Sequence, residues 1–174
     1  VKRQVAAGIH FLVPLGTTAE TPCLSDEEKV ELLKITREHA QGLPLVVGAG
    51  TNSLAGTLRN MALLEPYGVD YFLVVAPYYN KPTQQGLYAY YKAVAAATEK
   101  SIILYNVPGR TGVNITAETT LALANEVENI VAIKEASDSA DRLTEIGAMG
   151  EKLRLYAGND SQLFTVLSLG GGGV

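Results

Sequence analysis

A lysine closes the short run Ile130-Val131-Ala132-Ile133-Lys134, where the pattern leads one to expect another apolar residue. The four residues before it are mostly β-branched and uninterrupted, the composition of a strand covered on both faces. Burying an ammonium is costly, so such a lysine loses its proton or acquires a partner. A neutral amine inside a pocket is a nucleophile suited to carbonyl carbons. The plainer alternative is a lysine that snorkels from a strand end or pairs with a carboxylate, and Glu135 stands beside it.

Other stretches carry reactive groups at comparable places. In Tyr105-Asn106-Val107-Pro108-Gly109-Arg110-Thr111-Gly112 a strand-end tyrosine can pass a proton, and the arginine that follows can fork onto a carboxylate. The same residues also suit a packed aromatic and a surface turn. Gly16-Thr17-Thr18-Ala19-Glu20 offers two hydroxyls and free backbone N–H groups for an anion, or forms an ordinary capped turn. Pro77-Tyr78-Tyr79-Asn80-Lys81-Pro82 sets two tyrosines in an extended loop, where aromatics serve packing or a subunit interface. Gly48-Ala49-Gly50 lacks the third glycine of a dinucleotide fingerprint and reads as a strand end before a helix cap. Gly170 to Gly173 has no following Lys-Ser or Lys-Thr pair, so it reads as room for close backbone approach. His10, read in a strand, and His39, late in a helix, have no metal-ligand spacing and are read structurally.

The elements that position these groups alternate at about thirty residues, the length of a βα unit. Strands are expected at Ile9–Leu15, Leu45–Val47, Tyr71–Ala76, Ile102–Asn106, Ile130–Lys134 and Leu153–Ala157, with another starting at Val174. Helices are expected between them. Ser25 caps one to Ala40, Thr51-Asn52-Ser53 caps one to Tyr67, and others cover Gln84–Thr98, Thr116–Glu126, Ser139–Met149 and Asp160–Leu169. Short runs apolar on both faces, separated by helices, require a parallel sheet covered by helices. An open doubly wound sheet and a (β/α)8 barrel both satisfy this. Polar residues gather after several different strands, which favours the barrel over a sheet with one switch point.

Composition narrows the classes. In 174 residues the hydrophobic fraction is 47% and the charged fraction 18%, which suits one globular domain and not a disordered chain. The net charge of −4 comes without a basic stripe, so nucleic acid is not an expected partner. No apolar stretch approaches the roughly 20 residues that span a bilayer. Cys23 is the single cysteine, which excludes an internal disulfide and fits a reducing, cytoplasmic setting. Val1 to Ala7 reads as the last turns of a helix and the final glycines stop in mid-pattern, so truncation at both ends is expected.

Five segments together resemble the dihydrodipicolinate synthase family, within the pyruvate-dependent lysine aldolases that include N-acetylneuraminate lyase. They are the threonine loop at 16–20, the tyrosine loop at 77–82, the 105–112 segment, Ile133-Lys134-Glu135-Ala136, and Ala157-Gly158-Asn159-Asp160. They stand in the family's order over essentially the whole chain. The resemblance implies a (β/α)8 TIM barrel of which residues 1–174 carry strands 2 to 7 and the start of strand 8. Strand 1 and the C-terminal helical region would lie outside.

It also implies a lyase that condenses pyruvate with aspartate-semialdehyde through a lysine Schiff base. The product is 4-hydroxy-tetrahydrodipicolinate, the first committed step towards diaminopimelate and lysine. By that comparison Lys134 forms the imine and Tyr105 relays protons. Thr17 links Tyr105 to a tyrosine from a neighbouring subunit, matched by Tyr79. Thr18 holds the pyruvate carboxylate, Arg110 receives the carboxylate of the second substrate, and Gly158 and Val174 offer backbone groups to the pocket. No cofactor or metal is required, and a homodimer or homotetramer is implied. Asn52 and Tyr78 match a lysine-binding allosteric site. Asp26 and Gly56 depart from the histidine and glutamate frequent there in lysine-inhibited members, so weak or absent feedback by lysine is expected. Alternatives are an N-acetylneuraminate lyase or keto-deoxy-sugar aldolase, which differ in acceptor binding, and an inactive barrel fragment.

Overall fold

A computed structural model describes residues 1–174. Five parallel strands form one sheet: β1 (Val46–Gly48), β2 (Tyr71–Val75), β3 (Ser101–Asn106), β4 (Ile130–Glu135) and β5 (Arg154–Ala157). Each strand pairs with the next in sequence, in the order β1-β2-β3-β4-β5. A doubly wound sheet would reverse its strand order at a switch point. This sheet has no reversal; its sequential order is that of an arc of the expected (β/α)8 barrel.

Helices α2 (Asp26–His39), α3 (Leu54–Leu64), α4 (Gln84–Ala95), α6 (Ala117–Glu126), α7 (Ala140–Gly147) and α8 (Leu163–Ser168) cover the outer face, while α1 (Lys2–Ala6) buries no residue and the short α5 (Pro108–Thr111) follows β3 at the carboxyl end of the sheet. Their starts follow from local chemistry. Ser25 Oγ accepts from the Glu28 N–H at 3.2 Å while the Glu28 carboxylate accepts from the Ser25 N–H at 2.7 Å, a reciprocal cap that satisfies two orphan donors. Ser53, Thr83, Thr116 and Ser139 accept from the N–H groups of Gly56, Gly86, Thr119 and Arg142 in the same way.

Strand alternation sorts the side chains into two cores. Outward residues such as Phe72, Leu104, Ile133 and Leu155 join a cluster of 31 buried residues against the helices. Inward residues Val46, Leu73, Ile103, Tyr105 and Ala132 form a smaller interior cluster. A register shift where β3 meets β4, between Ile102 and Ile103, leaves Val131 without a partner in β3 and brings Tyr105 level with Lys134. Phe11 meets Tyr156 edge to face across the interior, with ring centroids 5.7 Å apart.

Both edges of the arc differ from expectation. Ile9–Leu15 is not a regular strand: a single bridge joins Leu12 to Leu45, and His10 sits in an exposed bend. Leu12 and Pro14 bond to Pro44, Val46 and Gly48 along one edge. Pro14 has no N–H to extend the ladder, and Leu15 turns the chain away with φ 57°. The strand expected to start at Val174 is a bridge between Gly173 and Tyr156. Gly48 is required by this arrangement, because a Cβ there would lie 1.9 Å from the Leu15 carbonyl oxygen. That close approach seats the threonine loop against the end of β1.

Candidate active site

Lys134 and Tyr105 both point inward, from the last turns of two adjacent strands. Their Cα atoms are register partners, and the Lys134 Nζ lies 4.7 Å from the centre of the Tyr105 ring. Tyr105 is buried and Lys134 half-buried. Burial disfavours the ammonium and lowers the Lys134 pKa below the ordinary lysine value; the Asp160 carboxylate acts in the opposite sense and only partly offsets this. Burial therefore raises the fraction of the amine that is neutral, the form that can attack a carbonyl.

A cavity of about 440 Å³ opens beside this pair at the carboxyl ends of the strands, where barrel sites are built. Thr17, Tyr78, Tyr105 and Arg110 are among its walls. Lys134 is not; Tyr105 connects the two, lining the cavity and carrying the amine over its ring. Thr17 sits in a 3-10 turn, Thr17–Ala19, that follows the loop seated on Gly48. Arg110 is exposed on α5, a four-residue helix that Pro108 opens and Gly112, at φ 70°, closes.

The remaining expected residues fall around this centre. Thr18 is exposed and is not a wall of the cavity. Tyr79 is 87% exposed at φ 76° and is not a wall of the cavity of its own chain. No hydrogen bond joins Thr17, Tyr105 and Tyr79 within the chain. Gly158 follows β5, and its N–H donates to the Glu135 carbonyl at 2.6 Å; a Cβ on it would lie 2.4 Å from that of Ala136. Val174 is half exposed, next to the Gly173 bridge. Asn52 lies off the cavity, its carbonyl accepting from Asn80 Nδ2 at 3.0 Å. Lys29 and Arg59 are also walls of the cavity, and Asp26 pairs with both, at 3.3 and 3.7 Å.

Sequence reasoning missed the buried ion pair behind the lysine. Glu135, wholly buried on the outer face of β4, pairs with Arg142 of α7 at 2.8 Å. Its carboxylate also accepts from Asn106 Nδ2 at 2.9 and 3.1 Å and from the Ser137 N–H at 2.9 Å. The signal was present. Alternation turns Glu135 towards the helices, and Arg142 is the single basic residue of the helix that follows.

The whole chain, residues 1–174, matches the Dihydrodipicolinate synthetase family. It is 43% identical over 179 residues to the 4-hydroxy-tetrahydrodipicolinate synthase of Thermotoga neapolitana, covering 100% of this chain and 61% of the relative. The synthase of the same name from Parabacteroides distasonis is 44% identical over 176 residues, covering 100% of this chain and 59% of the relative. Among solved structures, dihydrodipicolinate synthase from Thermotoga maritima superposes with a TM-score of 0.95 at 41% identity, covering 98% of this chain and 60% of that one. The chain thus spans about three fifths of the length of the curated relatives it matches.

Proposed function

Because the chain belongs to the dihydrodipicolinate synthetase family, we propose that the whole protein condenses pyruvate with aspartate-semialdehyde to give 4-hydroxy-tetrahydrodipicolinate. The observation that carries this reading is the inward amine of Lys134, less basic than an ordinary lysine and set over the Tyr105 ring. In the proposed reaction that amine attacks the ketone carbon of pyruvate and water leaves, giving an imine. The imine withdraws electrons, so a methyl proton departs and an enamine forms. The enamine carbon attacks the aldehyde carbon of the second substrate, whose oxygen takes up a proton. The amino group of that substrate then attacks the imine carbon, the Lys134 amine leaves, and the ring closes.

Proton traffic is assigned to Tyr105, at the cavity wall beside the amine. Thr17 lines the same cavity, and the exposure of Tyr79 suits a role in a neighbouring subunit's site, which is the reason to propose a homodimer or homotetramer. Thr18, Gly158 and Val174 are assigned to the pyruvate side, and Arg110 to the carboxylate of the acceptor. In this reading the imine is the electron sink, so neither metal nor organic cofactor takes part. Residues 1–174 are then part of one (β/α)8 barrel domain of a cytoplasmic enzyme. No helix is long and apolar enough to cross a membrane.

The test is a product assay on the full-length protein with both substrates. Replacing Arg110 with Ala separates this synthase from a sugar-acid aldolase. The expected result is a loss of about 10²-fold in kcat/KM for aspartate-semialdehyde, with imine formation from pyruvate retained. Unchanged use of the semialdehyde in that variant contradicts the assignment. Weak feedback by lysine belongs to the same reading. Tyr78, Lys29 and Arg59 are walls of one cavity that has no acidic wall residue, and the Asp26 carboxylate is already paired with both cations, so an incoming α-ammonium finds no free acid there. Titrating the full-length enzyme with lysine should leave it active through the submillimolar range; half-inhibition there rejects this part of the reading.

A further inference from the structure

The outward side of the β3–β4 pair carries a second constellation that takes no part in the chemistry above. Asn106 and Glu135 are register partners, one residue beyond Tyr105 and Lys134 on the same two strands. Both are wholly buried. The Glu135 carboxylate receives Asn106 Nδ2, the Ser137 N–H and Arg142 Nε, all within 3.1 Å. Asn106 Oδ1 accepts from the Ile115 N–H at 3.0 Å, and Arg142 donates to Thr120 Oγ1 at 3.2 Å. The backbone is fixed at the same level: the Ala136 N–H donates to the Asn106 carbonyl, and the Gly158 N–H to the Glu135 carbonyl. A buried ion pair is weak as a source of stability, since apolar residues of similar volume often do as well. What this one does is fix geometry. It joins β3, β4, the segment before α6, α6 itself and α7 to the two strand ends that present the reacting groups.

We infer that Glu135 and Arg142, with Asn106, are positioning residues that hold the Lys134 amine over the Tyr105 ring. This rests on the reading of Lys134 as the imine-forming residue. Side chains on opposite faces of the same two strands share one backbone, so a change in how Asn106 and Glu135 meet displaces Lys134 against Tyr105. Small displacements of reacting groups are expensive in rate.

Three variants of the full-length protein test this. Thr120→Val removes the outermost bond to Arg142, together with the local bond from the Thr120 hydroxyl to the Thr116 carbonyl. Glu135→Gln keeps the shape and removes the charge. Glu135→Gln with Arg142→Met removes both charges, so no unpaired ion remains buried. The expected result for Glu135→Gln is a fall of about tenfold in kcat with the KM for pyruvate within about twofold, and a smaller fall of the same kind for Thr120→Val. Borohydride trapping of pyruvate should still mark Lys134, at a lower initial rate. A readout independent of turnover is the carbon NMR signal of Lys134 after reductive methylation, assigned with Lys134→Arg. Its seat over the Tyr105 ring shifts the signal, and the shift should shrink in all three variants. An unmoved signal with parental kcat in the folded variants overturns the inference, and Thr120→Val alone decides the matter where Glu135→Gln fails to fold. A moved signal in a parent protein that forms no pyruvate adduct leaves the positioning role standing and rejects the imine reading instead.

Discussion

Lys134→Ala in the full-length protein is expected to lose turnover by at least about 10³-fold and to form no borohydride-stable adduct with pyruvate. The methyl side chain offers no amine, and no second lysine is seated over Tyr105. Fold should be preserved, since Lys134 makes no salt bridge or side-chain hydrogen bond that its removal would orphan. The pH dependence carries the same claim. The nucleophile is the neutral amine, so trapping slows as pH falls through the Lys134 pKa. That pKa lies below the ordinary lysine value of 10.5, so the fall-off should occur at lower pH than for an exposed lysine. Asp160 favours the ammonium, so Asp160→Asn should move the limb lower still. Initial trapping rates against pH in the parent and in Asp160→Asn check both directions. A limb in the ordinary lysine range, or one that rises in Asp160→Asn, contradicts this account of the amine.

The second large effect falls on stability. Arg142→Leu leaves the Glu135 carboxylate in a site with no exposure to water and without its cation. Breaking one partner of such a pair costs about 3–5 kcal/mol, far more than the net worth of the pair, because the remaining charge is buried without compensation. The bonds from Asn106 and Ser137 remain and moderate the loss. Urea unfolding of the full-length protein should show a markedly lower midpoint for Arg142→Leu. Adding Glu135→Gln should recover part of the loss, since it removes the stranded charge. A midpoint unchanged in Arg142→Leu means that the pair is not an electrostatic unit.

Much of the frame was legible in the amino-acid pattern because it is local. Apolar runs with polar ends located β2 through β5, Ser25 and Thr116 marked the starts of α2 and α6, and the stretch Thr51-Asn52-Ser53 marked that of α3, whose cap is Ser53. Alternation within a strand sets Lys134 and Glu135 on opposite faces, which removes Glu135 as the lysine's partner. Less local features escaped. Ile9–Leu15 has the composition of a strand, but Pro14 and the left-handed Leu15 reduce it to a bridge. The 3-10 turns at Thr17–Ala19 and Thr21–Cys23, and α5 around Arg110, are too short to show a helical period. The partner of Glu135 could not be read from neighbours alone, because pairing with Arg142 depends on how α7 packs on the sheet. Tyr79 illustrates another limit. Its loop reads as a packing or interface loop, and its ring is exposed and off its own chain's cavity, so the proposed role beside Thr17 depends on a second copy.

The central claim is that Lys134 forms an imine with pyruvate. The most direct measurement is to incubate the full-length protein with pyruvate and borohydride, digest it, and locate the modified residue by mass spectrometry. The account predicts a single reduced pyruvate adduct, on Lys134, formed without the second substrate. No adduct, or an adduct on another lysine with Lys134 unmodified, contradicts it.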